Sequence, residues 1–311
     1  MKTISYQNLI QTAVEFKCFV KSTLKLYINP STSWIEKAIR YTQGLSNTLS
    51  NDEIRIKYLK INNQNSECLW ALIQLMDLAF IYNNLIKSNK LDKKVLKSKI
   101  KKIIEAPFLP IKEVKEKNEP RNILFELILT GELLSRNFNA TIPNSNTGHP
   151  DIEVVVNKNI YAIECKRIFN PKAFIRNFYR AKVQLEKYSL NKHKYSFGII
   201  AINITRIFNP GDKLLIAQNE KEATNNALNE VEFLFNQFKN KLGKNSNIKI
   251  PALILFLSIP VILKQKPFLA GGAFLTICEL PNQTPISLFN IIKSDFKKLE
   301  SNLEISDFYK F

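Results

Sequence analysis

His149-Pro150-Asp151-Ile152-Glu153-Val154-Val155-Val156-Asn157-Lys158-Asn159-Ile160-Tyr161-Ala162-Ile163-Glu164-Cys165-Lys166-Arg167 is the stretch that decides the fold class. Two β-prone runs flank a polar Asn157-Lys158-Asn159 turn, the pattern of a β-hairpin. Side chains alternate between the two faces of a strand, so Ile152, Val154, Val156, Tyr161, Ile163 and Cys165 share the face expected on the core. Asp151, Glu153, Glu164 and Lys166 share the other. A two-residue loop at Asn157-Lys158 opposes Asp151 to Glu164, and one at Lys158-Asn159 opposes it to Lys166. A three-residue loop without a bulge would instead throw Asp151 onto the apolar face.

Working outward, the spacing predicts a helix over 121–136, a short strand over 138–142 and a polar loop over 143–150 ahead of the hairpin. After it come a helix from 171 to about 190, a buried strand over 197–204 and a helix over about 218–241. That last helix carries Ala227, Val231, Leu234, Phe235 and Phe238 on one face. Apolar segments over 252–263 and 270–280 complete a mixed sheet, with Gly271-Gly272 read as a turn. No Lys-Ser/Thr follows those glycines, so they form no phosphate loop.

Upstream the pattern is helical: Ile35, Ala38 and Ile39 recur at helical spacing, as do Leu69, Leu72, Leu75 and Leu78. Breaks fall at Pro30-Ser31-Thr32 and Asn62-Asn63, and Pro30-Ser31 suits a helix start. Trp34 and Trp70 sit among apolar positions and read as core. Pro107, Pro110 and a charged run closed by Pro120 read as a junction, which divides the chain into a basic helical domain, 1–118, and an α/β domain, 119–311.

Composition narrows the function. The chain has 311 residues, is 45% hydrophobic and carries a net charge of +18, an excess that attracts polyanions, nucleic acid foremost. Its Lys, Asn and Ile richness also matches an AT-rich coding bias, an alternative source of that charge. Between Lys87 and Lys102 eight lysines face one acid, Asp92; this stretch reads either as a solvated helix face or as a DNA-contacting one. The longest apolar run, 250–263, is broken by Pro251 and Pro260 and is too short for a membrane span of about 20 residues. No signal-peptide pattern opens the chain, so a cytoplasmic location and no membrane partner are expected. Four scattered cysteines give neither a zinc ribbon nor a disulfide framework, and two histidines, His149 and His193, cannot build a multi-histidine centre. His149, directly before Pro150-Asp151, reads either as a contact to phosphate or water or as an incidental loop residue, and His193 carries no assignment.

Carboxylates must therefore hold any metal. Asp151, Glu153 and Glu164 grouped with Lys166 repel one another unless solvated or ligated, and such oxygen donors suit Mg²⁺. Alternating charged and apolar residues are also how any half-exposed strand reads, and a Glu-x-Lys alone is common. The order of elements adds the weight: Glu126 on the preceding helix, Pro150-Asp151 opening a strand, a hairpin, then Glu164-x-Lys166 followed by a helix.

This arrangement resembles the PD-(D/E)xK nuclease superfamily over 121–204, which implies a restriction-endonuclease-like core of order αβββαβ, a mixed sheet flanked by helices, here preceded by an all-helical N-terminal domain. The resemblance implies that Asp151 and Glu164 hold Mg²⁺ or Mn²⁺, that the Cys165 main-chain carbonyl completes the coordination, and that Glu126 adds a further ligand. Lys166 orients or activates the attacking water, and cleavage leaves a 5′-phosphate and a 3′-hydroxyl. Gln184 and Tyr188 form Gln-x-x-x-Tyr, similar to RecB-like members, although the 18 residues from Lys166 to Gln184 are fewer than is usual there. Gln184 is a candidate catalytic residue, and its stripe with Arg176 and Arg180 runs past the expected scissile phosphate. Tyr188 continues the apolar row of Phe174, Phe178, Ala181 and Leu185 and is expected in the core. The expected activity is a metal-dependent DNA nuclease, with a homodimer or protein partner engaged through the N-terminal helices. The alternatives are a nucleic-acid-binding protein that keeps the fold without cleaving, and a structural component whose charge reflects codon bias.

Overall fold

A computed structural model of the chain describes residues 6–48, 65–106, 119–144, 148–192, 195–209, 215–242, 250–263, 268–280 and 286–300. The expected junction at 107–118, the break at Asn62-Asn63 and His193 lie outside them.

The hairpin closes as the shortest loop requires. Val156 pairs with Asn159 and Ile152 with Ile163, so β2 (Ile152–Val156) and β3 (Asn159–Arg167) are joined by Asn157 and Lys158 alone. Both loop residues have positive φ, 48° and 71°. That geometry matches the right-handed twist of the strands. β1 (Asn139–Thr141) pairs antiparallel with β2, and β4 (Phe197–Asn203) pairs parallel with β3. β6 (Ala252–Leu263) runs parallel to β4 along its first half and to β5 (Leu215–Ala217) at its far end. β7 (Phe268–Glu279) closes the opposite edge of β6 antiparallel, giving a mixed sheet of seven strands among the described residues.

The helices, in chain order, are α1 (Tyr6–Ser22), α2 (Trp34–Thr48), α3 (Asn65–Ile81), α4 (Lys93–Ile103), α5 (Glu119–Ser135), α6 (Lys172–Lys192), the short α7 (Thr205–Phe208), α8 (Glu220–Phe238), α9 (Ile286–Asp295) and α10 (Lys297–Glu300). α3 is apolar around much of its circumference and buries Trp70, Leu72, Leu75 and Leu78, as a helix enclosed by neighbours must. The chain is thus α/β, and its central stretch runs α5-β1-β2-β3-α6-β4.

Two cores cover the two faces of the sheet. On one, Ile152, Val154, Tyr161, Ile163 and Cys165 pack with α5 and with the helices of the first hundred residues, including Trp34, Trp70 and Ile100. On the other, Ala162, Ile200, Ile202 and Leu255 pack with Phe174, Phe178 and Leu185 of α6 and with α8. Gly131 marks how closely α5 meets α3: a Cβ there would lie 2.8 Å from the Phe80 ring.

Three expectations are corrected. The second face of the hairpin is half-exposed only along β2, where Val155 is 41% exposed; along β3, which pairs parallel with β4, α6 covers it and buries Ala162 and Glu164. Gly271-Gly272 is no turn but lies within β7, paired with Pro260 and Ile259. The second helix starts at Trp34 rather than at Pro30-Ser31, since Asn29 Oδ1 accepts from Ser31 N and Thr32 N to form a turn, and Ser33 Oγ then accepts from Ile35 N. Among the described residues no helix is long and apolar enough to cross a membrane.

Candidate functional site

β2 begins one residue after Asp151, so the register places Asp151 across from Glu164 at the mouth of the hairpin. Asp151 Oδ2 accepts a hydrogen bond from the Cys165 main-chain N–H at 2.8 Å. This bond extends the ladder past the last strand pair through a side chain, and it holds one Asp151 oxygen next to the residue that follows Glu164.

Glu164 is 1% exposed. Its Oε1 accepts from Lys166 Nζ at 2.5 Å, while Oε2 is buried without a hydrogen bond. Burial first, and then the charge of Asp151, push its carboxyl up to about 8, against the opposing pull of Lys166. Glu126, on the buried side of α5, accepts from Lys99 Nζ of α4 at 2.5 Å. Burial and then Asp151 raise it to about 7, with Lys99 working in the other direction. The Cys165 thiol is pushed up by burial and by the same carboxylates, so it is no nucleophile at neutral pH.

The structure thus brings Asp151, Glu164, Cys165 and Lys166 together and sets Glu126 within their field. Glu153, which shares their face in the sequence pattern, is drawn away: it accepts from the Tyr195 hydroxyl and lies 3.9 Å from His149 Nδ1. Tyr188 is half-buried against the α6 core, as its row implies, but its hydroxyl faces the carboxylates. Burial, then Glu164, then Asp151 raise its ionisation, and Gln184 interacts with the same hydroxyl. The Gln-x-x-x-Tyr spacing was the signal for this; the apolar row around Tyr188 concealed it.

Lys99 was not legible as a site residue, since nothing in the pattern of α4 separates it from the seven lysines around it. The structure sorts them. Lys99 reaches Glu126, Lys102 reaches Glu119, Lys90 donates to the Leu134 carbonyl and Lys87 pairs with Glu15, while Lys94, Lys97 and Lys101 remain exposed. Asp92, the lone acid of the run, caps α4 by accepting from Lys94 N and Val95 N.

In kind, the donors suit a hard divalent cation: the carboxylates of Asp151 and Glu164 and the Cys165 carbonyl are all oxygen ligands, and Glu164 Oε2 is an orphaned buried acceptor. In arrangement, lysine ammonium groups pair with Glu164 and Glu126, and no group of three or more His, Cys, Asp and Glu residues is set to hold a metal ion among the described residues. No protein-family model and no curated protein matches the chain.

Proposed function

We propose that the chain is a divalent-metal-dependent nuclease whose substrate is DNA and whose α/β part is a restriction-endonuclease-like core. One observation carries the reading: Asp151, the residue before β2, stands across from Glu164 of β3 beside Lys166, with a buried Glu164 oxygen lacking a hydrogen bond. The run α5-β1-β2-β3-α6-β4 supports it as the αβββαβ order.

Asp151, Glu164 and the Cys165 carbonyl would hold Mg²⁺ or Mn²⁺, with Glu126 as the further acid. When bound, the cation supplies positive charge to the phosphate and eases deprotonation of water. Lys166 donates to Glu164 and would offer its ammonium group to the charge that grows on the phosphate. The Cys165 N–H keeps Asp151 oriented, and the Tyr188 hydroxyl gives Glu164 a polar neighbour under α6.

The lysine pairing of Glu164 and Glu126 favours a second reading, a nucleic-acid-binding protein that keeps this fold without cleaving. Incubation of plasmid DNA, linear DNA and RNA with Mg²⁺, Mn²⁺ or EDTA separates the two. Cation-dependent cleavage with 5′-phosphate ends is expected; binding without cleavage under every cation would establish the second reading.

A further inference from the structure

An open cavity of about 510 Å³ lies between α6 and the segment that follows β3, and Lys166 forms part of its wall. Four cations line it, Lys166, Arg167, Arg176 and Arg180, and no carboxylate among the described residues does. Its remaining polar wall is amide: Asn122, Asn170, Asn177 and Gln184. Amides and guanidinium groups donate to phosphate oxygens without carrying negative charge of their own. Arg176 and Arg180 are exposed and have no ion-pair partner among the described residues, so their charge is unspent.

The geometry is linear. Arg176, Arg180 and Gln184 follow one another at four-residue intervals along α6, about 6 Å per step along the helix axis. That spacing suits successive phosphates of one strand. The sole aromatic side chain of the wall among the described residues, Phe169, is engaged by guanidinium groups: Arg206 stands 4.7 Å and Arg167 5.6 Å from its ring centroid. The ring therefore positions arginines rather than offering a platform for a base.

We infer that this cavity is the binding groove for the sugar–phosphate backbone next to the phosphodiester at Asp151 and Glu164, contacted through Arg176 and Arg180 and read without regard to base sequence. The inference rests on the nucleic-acid substrate proposed above and names how that substrate is gripped.

The test is a fluorescence-anisotropy titration of the full chain in EDTA, so that cleavage plays no part, with labelled single-stranded and duplex oligonucleotides of unrelated sequences over a range of salt. The double substitution Arg176→Ala/Arg180→Ala should weaken binding by about tenfold or more on every sequence, as the loss of two phosphate contacts implies. The slope of log affinity against log salt should become shallower by about 1.8 on duplex or about 1.4 on single strands, which also identifies the form held in the groove. Arg176→Lys/Arg180→Lys should retain most of the slope. Unchanged affinity and slope in the alanine variant would overturn the groove even if the wild type cleaves DNA. Conversely, a wild type that cleaves nothing under any cation, yet binds through these arginines, would overturn the nuclease and leave the groove standing. Failure of the wild type to bind any oligonucleotide, or preference for anionic lipid vesicles over them, would overturn the groove outright.

Discussion

Asp151 and the main chain of Cys165 are joined by a 2.8 Å hydrogen bond that ties the start of β2 to the strand carrying Glu164. The carboxylate is thus both a candidate ligand and a structural acceptor, and the two roles separate by substitution. Asp151→Asn keeps an acceptor and should melt close to wild type while losing cleavage. Asp151→Ala strands the Cys165 N–H and should cost about 1–3 kcal/mol of stability in urea unfolding as well. Equal stability of the two variants would show that the bond contributes nothing.

Glu164→Ala and Lys166→Ala should each abolish cleavage to an extent similar to Asp151→Asn, because groups that act as one unit are not additive. Cleavage is read on supercoiled plasmid with Mg²⁺. An unimpaired Glu164→Ala protein would remove the metal site from the mechanism.

The raised carboxyls of Glu164, about 8, and Glu126, about 7, set a pH dependence with a defined sign. Each binds its proton more tightly in the folded chain than in the unfolded one, where 4.5 is usual. Their stabilising contribution is therefore complete below about pH 4.5 and is lost as pH rises through about 7 and then 8. In EDTA the melting temperature should fall over that window. Glu164→Gln should flatten the fall, and Mg²⁺ should restore stability more at pH 8 than at pH 6, because the ligand form is the deprotonated one. Parallel melting curves for wild type and Glu164→Gln across the window would contradict this.

Lys99→Met removes the cation from a glutamate that is almost fully buried and should destabilise the chain by about 1–3 kcal/mol. Adding Glu126→Gln should recover much of that loss, and a double-mutant cycle by urea unfolding reads the coupling. Charge reversal at the exposed Lys94, Lys97 and Lys101, by contrast, should leave stability nearly unchanged and weaken nucleic-acid binding at low salt if α4 belongs to the substrate surface.

Lys158 occupies the left-handed region at φ 71°, where a Cβ is unfavourable. Lys158→Gly should raise stability by about 1 kcal/mol, measured as a higher urea midpoint, and preserve the two-residue turn.

The hairpin was the most legible part of the chain because period-two alternation and a short polar turn leave few registers, and one of the two even registers is the one adopted. β4, α5, α6 and α8 were legible for the same reason, strong periodicity over long segments. β5 was not: three residues, Leu215–Ala217, carry too little pattern, and only pairing with β6 makes them a strand. The burial of Glu164 also escaped, since whether a face is covered depends on where α6 docks. At the site, residue identities were readable while their partners were not. Lys99 and Glu126 stand 27 residues apart, and no local rule links them.

Asp295 ends α9 and receives Asn157 Nδ2 on Oδ1 at 2.8 Å and Asn159 Nδ2 on Oδ2 at 3.0 Å, with the Tyr161 hydroxyl donating to Oδ2 as well. The turn that fixes the register is therefore fastened by a residue 138 positions later. During synthesis the hairpin can pair long before its clasp exists, and a chain stopped short of Asp295 has every proposed site residue but no latch on the turn that aligns them. The latch on the site's hairpin is therefore made after every residue that it holds in place.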